Sequence, residues 1–280
     1  MLPSGFQFSQ ASLQDFIDCP KRFQLRYLMG LRWPAAESEP IEQHERRIQL
    51  GQAFHHLVQQ HLAGISEERI ARTIGDANLE RWWRNYLLYR PVATYGGEAA
   101  TVRSEVALLG AIGAYKLIAK YDVLIVHAGG RVVILDWKTS ETRASERSLR
   151  DRLQTRIYPF LVVQAGASLN GGELLKPSDV EMVYWFPEHP DAPARFAYSA
   201  RQYEDDGAYL HRLVERIAAL DDDAYDLTDE AWRCAFCAYR SYCERGEKAG
   251  ALDDLDEAID LDLEGDEFDV DFEHAAEVEF

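Results

Sequence analysis

Two carboxylates and an ammonium stand close together in the stretch YDVLIVHAGGRVVILDWKTS, residues 121–140. Asp122 precedes one run of Val, Ile and Leu, and Asp136-Trp137-Lys138 ends a second. His127-Ala128-Gly129-Gly130 lies between the two runs. Paired glycines permit the positive φ values of a tight reversal, so the stretch reads as a β-hairpin. Strand alternation then puts Asp136 and Lys138 on one face and Trp137 on the other. On adjacent strands the two acids can converge on one hard cation while the ammonium reaches a nearby water or phosphate oxygen, an arrangement suited to hydrolytic metal chemistry. A bare D-x-K is no more than an ion pair at a strand end, and the hairpin context separates the two readings.

A second candidate centre comes from the cysteines. Only Cys19, Cys234, Cys237 and Cys243 occur, and the last three fall within ten residues. That clustering reads as metal ligation rather than a secreted disulfide scaffold. A zinc ribbon would need two closely spaced pairs, which the chain lacks. Free buried cysteines are the bland alternative.

Elements that could position these groups follow from periodicity. Ser9 to Leu31 reads as a capped helix carrying Cys19-Pro20, with Gly30 as its stop; a second helix covers about 46–62 and a third about 67–88. The pattern then turns to strands at 102–108, 115–126 and 131–137, neighbours in one sheet, followed by a helix at 146–165. Strands at 180–186 and 195–199 and an amphipathic helix at 200–220 complete the order. This succession predicts an α/β core with helices covering a mixed sheet. We divide the chain into an N-terminal helical region (1–95), a core (96–225), a cysteine segment (226–250) and an acidic tail (251–280).

Charge bears on partners. The net charge of -18 argues at first against a nucleic-acid partner, but residues 251–280 hold fourteen Asp or Glu and no Lys or Arg. The remainder is close to neutral, with basic residues gathered at Lys21-Arg22, Arg26, Arg32, Arg46-Arg47, Arg143, Arg147, Arg150, Arg152 and Arg156. Local positive patches are therefore compatible with DNA. The tail is too charged to form its own core and is expected to be solvated or partner-dependent. No apolar run reaches the length of a membrane span and the first residues lack a signal-peptide pattern, so a cytoplasmic location is expected.

Several short motifs, in order, resemble the PD-(D/E)xK nuclease superfamily, within it the RecB-like branch that includes the AddB nuclease domain and the CRISPR-adaptation exonucleases. They are Gly51-x-x-x-His55, Asp122 after Ala119-Lys120-Tyr121, Asp136-Trp137-Lys138-Thr139-Ser140, and Gln154-Thr155-Arg156-Ile157-Tyr158. The resemblance runs from about Phe8 to Cys243. It departs at Ala119, where the family often has glycine.

The resemblance implies a restriction-endonuclease-like core: a central mixed sheet flanked by helices, with the N-terminal helical region and the cysteine segment attached. It implies that His55, Asp122, Asp136 and the Trp137 carbonyl ligate Mg²⁺ or Mn²⁺, and that Lys138 activates water and stabilises phosphate charge. Gln154 and Tyr158, one turn apart on a helix, would position substrate. His56 is the rival to His55, and Glu105 either adds an acid or is a solvated strand residue. Cys19, Cys234, Cys237 and Cys243 match an iron-sulfur staple holding a [4Fe-4S] cluster, with Zn²⁺ as the alternative.

The implied activity is a metal-dependent DNA exonuclease preferring single-stranded or frayed ends, in repair, recombination or mobile-element defence. A noncatalytic DNA-binding scaffold and an RNA nuclease are the rival readings. No G-x-x-x-x-G-K-[ST] phosphate loop is present, so a helicase or a CRISPR-adaptation protein would be a separate partner.

Overall fold

The structure is a computed structural model describing residues 2–31, 39–97, 100–235 and 237–246, with side chains in the third helix described from residue 46 onward. The expectation for the tail, 251–280, lies outside the described residues. The chain begins β1 (Gln7–Ser9), α1 (Gln10–Asp18), α2 (Pro20–Phe23), a π-helical turn (Gln24–Leu28), α3 (Glu39–Leu62), α4 (Glu67–Ala71), α5 (Ala77–Tyr89) and α6 (Pro91–Gly96). It continues with β2 (Thr101–Ile112), β3 (Tyr115–Val126), β4 (Val132–Trp137), α7 (Glu146–Asp151), α8 (Leu153–Ala165), β5 (Val180–Trp185), β6 (Ala194–Ala197) and α9 (Ala200–Ala218). No helix of the described residues is long and apolar enough to cross a membrane.

Two compact units result. Among the described residues one gathers those up to Ile48, Ala111–Leu117 and those from Tyr209 onward; the other gathers Gln49–Gly110 and Ile118–Ala208. In the second unit β3 pairs antiparallel with β4, β4 runs parallel to β5, and β5 antiparallel to β6, while β2 also pairs with β3. The parallel β4–β5 step requires a crossover, which α7 and α8 supply. The expected mixed sheet flanked by helices is thus observed.

One face of this sheet is covered by α3 and α5. Val123 and Ile125 of β3, Val133, Leu135 and Trp137 of β4, and Val183 and Trp185 of β5 pack with Phe54, Leu57, Val58, Trp82, Trp83 and Tyr86. Phe54 is fully buried there, stacked at 6.4 Å on Trp185 and edge-on to Trp137 at 6.4 Å. The odd-numbered residues of β4 and β5 therefore anchor the sheet to α3, and even-numbered ones face α8, as the 2.7 Å Thr155–Tyr184 hydroxyl contact shows.

In the first unit, Ser9 caps α1 through a reciprocal bond with Ser12. The helix expected to run on to Leu31 instead breaks at Cys19, whose extended backbone (φ -162°, ψ 107°) is what a residue preceding proline favours. The helix expected over 67–88 likewise divides before Asp76, which accepts from Asn78 N and Leu79 N as a new cap. That over 146–165 divides at Arg152, extended at ψ 144°.

Candidate active site and cysteine recess

The hairpin forms as its sequence requires: Gly129 and Gly130 take φ of 122° and 90°, and His127 N–H donates to the Arg131 carbonyl at 2.8 Å. From there β3 and β4 pair from Val126–Val132 to Val123–Leu135. The next residues along the two strands are Asp122 and Asp136. Here the ladder changes. The Trp137 N–H donates to the Asp122 side chain, Oδ2 at 2.8 Å.

Strand β3 also loses its alternation at this point. Tyr121 packs against Tyr158 of α8, ring centroids 4.7 Å apart, and its hydroxyl donates to the Tyr158 carbonyl at 2.9 Å. Val123, two residues on, faces the opposite side, in the core under α3. Residues two apart on a regular strand share a face, so the pleat slips by one between them and Asp122 sits at the slip.

His55 completes the first half of the site. It lies on α3 next to the core residue Phe54, and its Nδ1 is 3.1 Å from Asp122 Oδ1. His56 points elsewhere, to Gln59 at 3.3 Å and Gln60 at 2.8 Å on the helix surface. Burial acts to raise the Asp122 pKa, but the His55 charge and hydrogen bond, the Trp137 N–H and Lys138 outweigh it and hold the carboxyl below its ordinary value.

The second half is Asp136, 4 % exposed. Its Oδ1 accepts from Gln154 Nε2 at 2.7 Å and its Oδ2 lies 3.1 Å from Lys138 Nζ. The Lys138 ammonium also sits 5.5 Å from the centre of the Tyr184 ring, on the neighbouring strand. Trp137 turns its ring into the core, leaving only its backbone to the site. Gln154 of the predicted helical pair thus reaches Asp136, whereas the ring of Tyr158 packs on Tyr121. Sequence reasoning missed Tyr184, which lines the site from a strand with no motif of its own.

In the first unit the four cysteines, far apart in sequence, line one recess together with Arg22, Leu227, Thr228, Arg233, Tyr239 and Arg240. Its empty volume is about 330 Å³, part of it open to solvent. Cys19 stands at the α1–α2 break. Next to it Asp18, 1 % exposed, accepts from Arg22 Nη2 at 2.8 Å and is paired with Arg233, the neighbour of Cys234. Burial pushes the Cys234 and Cys243 thiols above their ordinary pKa, and the nearby Cys19 adds to the rise. All four are free of disulfides.

Among the described residues no three His, Cys, Asp or Glu side chains stand near enough to close on a metal ion as they are. In chemical type the donors suit two different groups. An imidazole and two carboxylates match a hard divalent ion, and four thiols around one recess match a thiolate-bound metal or cluster.

The sequence profile of the PD-(D/E)XK nuclease superfamily matches residues 7–244. This chain belongs to that superfamily. As a PD-(D/E)XK nuclease it falls in a group that acts on nucleic acid and usually uses divalent metals, consistent in chemistry with the His55, Asp122 and Asp136 donors. A solved structure from Eubacterium rectale, provisionally named an exonuclease, resembles this nuclease with a TM-score of 0.55 at 13% identity, over 91% of this chain and 98% of that one. At such identity the likeness concerns the fold alone. The crystal structure of SSO0001 aligns with a TM-score of 0.43 at 16% identity over 87% of each chain, too low to argue from. Among curated proteins none matches the chain in sequence.

Proposed function

We propose that this nuclease is a Mg²⁺- or Mn²⁺-dependent deoxyribonuclease, working as an exonuclease on single-stranded or frayed DNA ends in repair, recombination or mobile-element defence. The observation that carries the reading is the meeting of Asp122, Asp136 and Lys138 at the end of the β3–β4 ladder, with His55 delivered to Asp122 by α3. His55, Asp122, Asp136 and the Trp137 carbonyl would hold the ion. When bound, such an ion polarises a phosphoryl oxygen and makes its water a nucleophile near neutral pH.

The chain's own groups do the rest. Gln154, donating to Asp136 Oδ1, orients that carboxylate. Lys138, held between Asp136 and the Tyr184 ring, places an ammonium where negative charge builds on the phosphate. Tyr158, seated against Tyr121 one residue before Asp122, supports that strand, and substrate contact is the further role proposed for it.

For the recess we propose a [4Fe-4S] cluster on Cys19, Cys234, Cys237 and Cys243, with Zn²⁺ as the alternative. Support comes from the four thiols sharing one recess, which Arg22, Arg233 and Arg240 also line, since four thiolates can hold such a cluster. A helicase or CRISPR-adaptation protein is the proposed partner class.

Digestion of end-labelled single-stranded DNA, double-stranded DNA and matched RNA with Mg²⁺ or Mn²⁺ tests the activity. Loss of label from DNA termini supports the reading. Cleavage of RNA alone, or of nothing, overturns it. Metal analysis of anaerobically purified protein tests the recess: about four iron atoms per chain are expected, and zinc without iron removes the cluster.

A further inference from the structure

Three described residues other than glycine have a positive φ: Arg90, Glu105 and Glu244. Arg90 caps the end of α5 before Pro91, a position where the left-handed conformation is ordinary. Glu244 lies in a turn. Glu105 alone lies inside a strand, at φ 57° in β2. A residue other than glycine is strained there, a strain that glycine would largely avoid and asparagine would reduce. Strain of this kind persists when neighbouring structure requires it, and it concentrates at functional sites.

The Glu105 side chain pairs with Lys120, whose Nζ lies 2.5 Å from Glu105 Oε2, the Lys120 and Glu105 side chains being 36 % and 22 % exposed. Half-exposed ion pairs contribute little stability, so the pair does not by itself offset the strain. Its location suggests another role. Lys120 is on β3, directly before the slip that turns Tyr121 to α8 and Val123 to α3 and leaves Asp122 between them. Strands β2 and β3 are paired, and the Glu105–Lys120 contact links the positive φ at Glu105 to the stretch of β3 that holds the slip at Asp122.

We infer that Glu105 is a positioning residue: through Lys120 it locks the irregular stretch of β3, so that Asp122 leaves the pleat and presents one oxygen to the Trp137 N–H and the other toward His55. The inference deepens the proposed metal-site reading and rests on it for its functional meaning. The positioning itself can be measured without metal.

Glu105→Asn keeps a residue that tolerates positive φ while removing the charge. Lys120→Met removes the partner and keeps the length of the side chain. Three readings are taken on the parent, both variants and the double variant. Thermal midpoints should stay at or above the parent's for Glu105→Asn, because strain is relieved. Amide hydrogen exchange at Trp137, measured without metal, should accelerate in each variant as Asp122 releases that N–H. Mn²⁺ affinity by calorimetry, without DNA, should fall about tenfold or more, the usual effect of losing a group that orients a ligand. The double variant should be no worse than either single one, since both break the same link.

Unchanged Trp137 exchange in Glu105→Asn overturns the inference, as does a double variant whose losses simply add. If the parent binds no Mn²⁺ while Trp137 exchange responds as expected, the metal reading fails and the positioning role of Glu105 stands.

Discussion

Gly51 on α3 faces Thr139 so closely that a Cβ at position 51 would fall 2.8 Å from the Thr139 Oγ1. Thr139 directly follows Lys138, and His55 lies one helical turn beyond Gly51, 3.1 Å from Asp122. The missing side chain therefore sets how near α3 can approach the end of β4. Gly51→Ala is expected to push the two apart and slow cleavage about tenfold or more, since small displacements of reacting groups are costly. Adding Thr139→Ala should restore much of the rate. A double variant as slow as Gly51→Ala would show that the contact does not set the approach of His55.

Asp136 and Lys138 should separate ligand from charge. Asp136→Ala is expected to abolish hydrolysis with either ion. Lys138→Ala leaves the carboxylates in place, so DNA should still bind while turnover falls by about 10²-fold, the scale of one preorganised electrostatic contact. Single-turnover rates alongside DNA affinity would check both. Parental rates in both variants would remove the nuclease reading.

His61 predicts a pH effect on stability. Its Nδ1 is 3.1 Å from the Tyr86 hydroxyl and its ring is edge-on to Trp83 at 5.5 Å. Burial lowers its pKa, with Arg90 adding to the effect and Glu67 opposing it. Below the ordinary value of 6.5 the unfolded chain therefore binds the proton more readily than the folded one. This contribution to stability is complete above that pH and is lost as pH falls below it and through the lower folded-state value. Thermal midpoints measured across this range should drop on acidification, and His61→Gln should flatten the drop.

Asp18 should matter to folding more than any exposed acid. It is 1 % exposed and pairs with Arg22 and with Arg233 across 215 positions of sequence. Removing one member of a buried ion group leaves the others uncompensated, so Asp18→Ala is expected to cost about 3 kcal/mol in chemical unfolding. A loss under about 1 kcal/mol would mean that water reaches the network.

The hairpin and the placing of its charged residues were legible in sequence because each of its signals is local. Gly129-Gly130 has few alternatives to a reversal, apolar runs of this length form strands, and D-x-K alternation puts two charges on one side. Strand 115–126 was read with both its ends in place for the same reason. Helix ends were less legible. The breaks at Cys19, before Asp76 and at Arg152 depend on single backbone conformations that an amphipathic pattern reads through.

What only the tertiary structure decided is where side chains from distant segments meet. Periodicity places His55 and His56 on one helix, but packing of Phe54 against Trp137 and Trp185 turns His55 to Asp122 and leaves His56 in solvent. Spacing pairs Gln154 with Tyr158, while the sheet beneath α8 gives Gln154 to Asp136 and Tyr158 to Tyr121. Tyr184 has no sequence signal because its role comes from lying beside β4 in register, Asp136 opposite Tyr184. The slip at Asp122 has none either. Composition and periodicity report which residues a segment buries, whereas the direction of one carboxylate depends on the neighbouring strand, the opposing helix and the hydrogen bonds that compete for it.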